Sequence, residues 1–146
     1  MNLQDLQKEW TKDAPINKLD LDNETSHIPS LHAKYINILS SIRKDILKAE
    51  KVFLKLRRFM TKYYKGTATK EELTLHGVDQ YQGKSPLKTE LDALLEHDED
   101  MMIARSAIEE LIICKDYTES VMKSIHSRTY DIKNILAWLT YSSGQS

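Results

Sequence analysis

Apolar positions along the chain recur with a helical period almost everywhere, and the breaks between the periodic stretches are few. Residues 2–13 place Leu3, Leu6 and Trp10 on one face of a short amphipathic helix, with Pro15 beyond its end. Residues 14–29 are polar and close on "SHIP", which predicts a connector, and Ser30 then stands where a helix N-cap belongs. From Leu31 to Lys65 there is no Gly or Pro, and Gly66 follows as a C-terminal stop. That stretch predicts one helix of roughly 50 Å.

Within this stretch the pattern is a heptad. Leu39, Ile46, Phe53 and Met60 repeat every seventh position, and Tyr35, Ile42, Ala49, Leu56 and Tyr63 fill the alternate seam. A seam sustained this long predicts packing along another long helix. Residues 67–85 read as a connector holding one short helix, since Thr69 and Glu72 have capping-box spacing and Gly77 ends the segment. Ser85-Pro86 predicts the next helix start, with Leu87, Leu91, Leu94 and Leu95 on its apolar side. A further helical stretch covers 101–126, and a last helix at about 128–141 presents Ile132, Ile135, Leu136, Trp138 and Leu139 before a frayed "SSGQS".

The expected fold is all-α: a single helical domain over 1–146, divided into 1–66, a connector at 67–85, and C-terminal helices at 86–142. Four Gly and three Pro in 146 residues support that class, because a sheet protein needs more turns. So much apolar stripe in so few helices also predicts an oligomer. Leu39, Ile42, Ile46, Phe53, Leu56 and Met60 are its expected seam, joined by Ile132, Ile135, Leu136 and Trp138 at the C-terminus.

Composition narrows the function by exclusion. No apolar run reaches the ~20 residues of a membrane span, and "MNLQDLQKEW" lacks the form of a signal peptide, which predicts a cytosolic protein. The single Cys114, in an apolar stretch, allows no internal disulfide and reads as a small core residue. "GVDQYQGKS" has five residues between its glycines where a phosphate loop needs four, and no strand leads into it. The five histidines show no ligand spacing, and the acids of "EHDED" suit a helix start. No enzyme, metal or cofactor is expected.

Charge changes the picture most. The formal net charge is -1, yet residues 43–65 hold nine Lys/Arg against two acids, a local +7. Residues 90–110 hold eight acids against Arg105, a local -7. With Leu39 at heptad position a, Lys44, Lys51, Arg58 and Lys65 fall at f, and Lys48, Lys55 and Lys62 at c. Seven cations therefore form a stripe opposite the seam, suited to the phosphates of a nucleic-acid backbone. Phe59 and Tyr64 lie off the seam, where either ring could stack on a base. No groove-reading motif for duplex DNA is visible. A solvated helix face, an anionic membrane surface, or the chain's own acidic block remain alternative readings of the stripe.

Several segments, in order, make a more specific pattern: "MNLQDLQKEW", "PSLHAKYINI", a basic helix ending in "YYKG", "KSPLKTEL" and "IHSRTYDIKNILAW". Together they resemble the UvsY family of recombination mediators from T-even-type bacteriophages, over most of the chain. The resemblance implies a non-enzymatic helper in DNA recombination, repair and replication. Such a protein binds single-stranded DNA coated by the phage single-stranded DNA-binding protein and helps a RecA-like recombinase assemble there. It also implies a ring-like homo-oligomer, hexamer or heptamer, working in the host cell cytoplasm.

DNA contact in the family maps here to Arg57, Arg58 and Lys62, flanked by Lys55 and Lys65. Lys51 and Tyr64 extend the expected surface, while Met60 interrupts the cations. Arg128 and Lys133 are alternative DNA contacts. With the seam inside the oligomer, DNA is expected to run around the outside of the ring. The competing reading is a structural coiled-coil or adaptor protein whose basic face docks an acidic protein.

Overall fold

The structure, a computed structural model, describes residues 1–144, so the end of the expected frayed tail lies outside the described residues. Among the described residues there are six helices and no strand: α1 (Leu3–Asp13), α2 (Leu21–Lys65), α3 (Lys70–Leu75), α4 (Lys88–His97), α5 (Glu99–His126) and α6 (Arg128–Ser142). The chain divides into two compact units. One comprises Met1–Lys44 and Leu111–Ser146, the other Asp45–Glu110. Helices α2 and α5 each contribute to both.

Local chemistry sets most helix ends. Asn2 caps α1 by accepting from the Asp5 N–H at 2.9 Å, while the Asp5 carboxylate accepts from the Asn2 N–H at 3.1 Å. Thr69 and Glu72 close the expected capping box on α3. Gly66 ends α2 at φ +73°: its N–H bonds the Tyr63 carbonyl, and the Thr67 N–H reaches the Lys62 carbonyl. That pair of bonds needs the left-handed conformation a glycine supplies most cheaply.

Two boundaries differ from the sequence expectation. Helix α2 begins at Leu21, ten residues before Leu31, and contains Pro29. Proline removes one intrahelical bond, but tertiary contacts hold the turns before it: Ile28 packs on the core and Glu24 receives a buried arginine. Ser85 does not cap a helix at Pro86. Helix α4 starts after Leu87, whose N–H donates to the Glu90 carboxylate at 3.1 Å. Where the acids of "EHDED" suit a helix start, Asp98 separates α4 from α5 in an extended conformation and caps the latter by accepting from the Met101 N–H.

In the first unit, Leu31 and Tyr35 of α2 meet Val121 and Ile125 of α5, with Trp10 and Ile28 against them. Trp10 sets its ring edge-on to Tyr35 at 5.6 Å. Leu39 and Ile42 are buried here too, as are Cys114 and Ile132. In the second unit, Phe59, Met60, Leu73, Leu91, Leu95 and Met101 form the core, and Phe53, Leu56, Tyr63 and Tyr64 pack on it. The heptad seam of α2 is therefore largely covered within the chain. Leu39, Ile42 and Met60 were expected between subunits, but α2 finds its long helical partner in the chain's own return path. Ile132 is likewise internal, whereas Leu136 and Trp138 are 56% and 66% exposed.

Arg128 joins three helices of the first unit. Its guanidinium donates to the carbonyls of Asp13, Ala14 and Pro15, at the end of α1, and to the Glu24 carboxylate at 3.3 Å. It is 5% exposed, which removes it from the expected DNA contacts. Arg128→Ala should leave these carbonyls and Glu24 without their donor and lower stability by roughly 3 kcal/mol. A thermal melt followed by circular dichroism checks this, and an unchanged midpoint would contradict it.

Lys34 lies 2.6 Å from Asp13 and 2.8 Å from Glu9, and the Tyr35 hydroxyl donates to Asp13 at 2.9 Å. Burial pushes the Asp13 carboxyl upward, but the bonds from Lys34 and Tyr35 outweigh it and leave the group below its ordinary value. Lys34 also lowers Glu9, first through its hydrogen bond. A lowered carboxylate stabilises the fold fully above the ordinary carboxylate range. This contribution is lost as pH falls through that range to the lowered value. Unfolding midpoints measured from neutral to acid pH should therefore fall less steeply in Lys34→Met than in the unsubstituted chain.

Candidate nucleic-acid interface

Because α2 is continuous to Lys65, its outward cations keep one register. Lys51, Lys55, Arg58, Lys62 and Lys65 follow each other by four, three, four and three residues, the spacing of a single helix face. They span about 21 Å along the axis. Lys51, Lys55, Arg57, Arg58 and Lys65 are exposed and Lys62 is half-buried. Among the described residues, the ion pair this stripe makes within Asp45–Glu110 is Lys62 with Glu72, at 3.2 Å. Glu72 is held below its usual range by the Thr69 backbone N–H and by Lys62. The acidic stretch 90–110, once a candidate partner for the stripe, forms no ion pair with it inside that unit among the described residues.

By sequence, Phe59 is one of two rings off the seam that could stack on a base. It is 4% exposed, stacked on the His76 ring at 3.7 Å and surrounded by the core, so no base can reach it. Tyr64 is half-buried, and its hydroxyl donates to Asp98 at 2.7 Å. Burial and that hydrogen bond hold its phenol well above the ordinary tyrosine range. Its ring meets Tyr63 at 5.1 Å and Tyr81 at 5.0 Å, edge-on in both cases. These rings brace the end of α2. Met60 lies in the core, which explains why a cation is absent there.

Beside the stripe runs a groove of about 1030 Å³. Leu54, Arg57, Arg58, Thr61, Lys62 and Lys65 of α2 form one wall. Pro86, Leu87, Lys88, Leu91 and Asp92, at the start of α4, form the other. Five cations thus face one acid around an apolar lining. The sequence names the α2 cations and puts Leu87 on the apolar side of a helix, but nothing in it singles out Leu54 or Lys88 for this surface. Leu54 and Leu87, 57% and 70% exposed, are large apolar side chains next to cations. Each was readable as an oddity, but only the fold brings them together.

Other chemistry is not in evidence at this surface. Among the described residues no group of three or more His, Cys, Asp or Glu is placed to hold a metal ion, and no helix is long and apolar enough to cross a membrane.

Residues 9–145 match the model of a family described as "Recombination, repair and ssDNA binding protein UvsY". The recombination protein uvsY of Enterobacteria phage T4 is 32% identical over 148 residues, covering 99% of this chain and 100% of the relative. Crystal structures of the bacteriophage T4 recombination mediator protein UvsY superpose closely. Lattice type IV gives a TM-score of 0.83 at 26% identity, covering 97% of this chain and 99% of the other. Lattice type II also gives 0.83 at 26%, covering 98% of each. The expected resemblance thus holds over nearly the whole chain, in both sequence and fold. The chain belongs to the UvsY family of recombination, repair and single-stranded-DNA-binding proteins, and is a non-enzymatic recombination mediator.

Proposed function

We propose that the chain engages single-stranded DNA through the outward face of α2, with Lys51, Lys55, Arg57, Arg58, Lys62 and Lys65 as phosphate contacts and Tyr64 as a brace rather than a stacking platform. The observation that carries this reading is the register of cations on one face, exposed except at half-buried Lys62, opposite the buried seam. Repeated monovalent contacts of this kind release counterions on binding and do not depend on base sequence.

The mediator acts on DNA already coated by the phage single-stranded DNA-binding protein and helps a RecA-like recombinase assemble there. It works as a ring-like homo-oligomer, hexamer or heptamer, in the host cell cytoplasm. Several copies of a modest site then act together through high effective concentration. For assembly, α6 offers the exposed apolar face that the α2 seam lacks. Leu136 and Trp138 are exposed beside half-buried Ile135, and Trp138 lies 5.9 Å from the ring of Tyr141. An apolar set of this size on one helix suits burial against another subunit.

Arg58→Ala should weaken binding to a labelled single-stranded oligonucleotide about five-fold and lower the salt slope by about 0.7, the loss of one phosphate contact. Anisotropy titrations across a salt series measure both. Equal affinity and slope would remove Arg58 from the interface. Trp138→Asp should lower the mass measured by light scattering, and an unchanged mass would exclude the α6 face from assembly.

A further inference from the structure

The two walls of the groove carry different chemistry. Leu54 and Leu87 offer apolar surface that nothing in their unit covers well, while Arg57, Arg58 and Lys88 supply charge around it. Asp92 is the acid of the lining and disfavours a phosphate at the groove floor. A ligand matching this arrangement is flat and apolar at its centre and anionic at its edges. An unpaired nucleotide within a strand has that form. The volume, about 1030 Å³, lies just above the roughly 300–1,000 Å³ range of clefts that hold drug-sized ligands, leaving room for a nucleotide.

We propose that this groove is a nucleotide subsite of the single-stranded-DNA surface, with a base seated against Leu54 and Leu87 and Lys88 holding a phosphate from the wall opposite α2. The inference rests on the DNA reading above and extends it: binding is not purely electrostatic, and α4 takes part. Bases in a duplex are paired and stacked, so their faces cannot enter the groove without unpairing. The subsite therefore favours single strands by its apolar wall, while the stripe alone would accept either form of DNA.

The test uses the full chain and two oligonucleotides of equal length and charge, one of thymidines and one of abasic sites, in anisotropy titrations across a salt series. The unsubstituted protein should prefer the thymidine strand about three- to ten-fold, the effect of covering part of a base face with apolar surface. Leu87→Ser should abolish that preference and keep the salt slope. Lys88→Ala should keep the preference and lower the slope by about 0.7. Lys70→Ala, an exposed cation outside the groove, should leave the preference intact. Both groove side chains are exposed, and thermal melts establish that the variants are folded. A preference unaffected by Leu87→Ser, or a slope unaffected by Lys88→Ala, overturns the subsite while Arg58→Ala still reports on the stripe. Failure of the unsubstituted chain to bind either strand overturns the DNA reading and the subsite with it.

Discussion

The period of α2 is the constraint from which the rest of the molecule follows. A helix 45 residues long has one apolar stripe, and that stripe must be buried. The chain meets this requirement itself: Leu31 and Tyr35 pack on α5 in one unit, and Phe59 and Met60 join α3, α4 and the start of α5 in the other. Once the seam is fixed inward, the cations three and four residues apart have no choice but the opposite face. Core packing and the basic surface are thus the same sequence decision seen from two sides. A residue inserted in α2 would rotate both together, turning cations toward the core and apolar side chains toward solvent.

Electrostatics then refines what periodicity lays down. The local excess of charge on α2 is tolerable because the cations point into water and carry few internal partners. Where neutralisation does occur, it serves structure. Lys62 meets Glu72 while Glu72 is also completing the cap of α3, so one carboxylate ties the short helix to the long one. Asp98 has a similar double role, capping α5 and accepting from Tyr64. Of the acids in 90–110, Glu90 and Asp98 serve helix starts and not the stripe.

The helical class, the capping boxes and the α2 register were legible in sequence because each depends on residues within a few positions of one another. Asn2 and Asp5, Thr69 and Glu72, and the run of cations from Lys51 to Lys65 are all of this kind. What escaped depends on distant partners. Pro29 reads as a boundary until Arg128 is seen to hold Glu24 five residues earlier. Phe59 is off the heptad seam and so reads as free, but α3 returns and lays His76 across its ring. Periodicity reports that a face is covered and not which chain covers it, and Leu39, Ile42 and Met60 are buried within this chain. Leu87 and Lys88 gain meaning only when the 78–87 connector brings them opposite Arg57 and Arg58.

The tyrosine pair at the end of α2 links the buried core to the basic surface. Tyr63 and Tyr64 sit beside the densest positive charge in the chain, a setting that invites a role in stacking on bases. Their surroundings favour another role. Both rings contact Tyr81, at 5.4 and 5.0 Å, and Tyr64 also bonds Asp98 at the entry to α5. Tyr81 belongs to the connector that leads into Pro86, Leu87 and Lys88. The aromatic cluster therefore anchors the connector to the end of α2 and fixes where the second wall of the groove begins. Aromatic rings next to cations can thus set the width of a binding groove without entering it. In this chain the ring that touches the connector matters more than the ring face left in water.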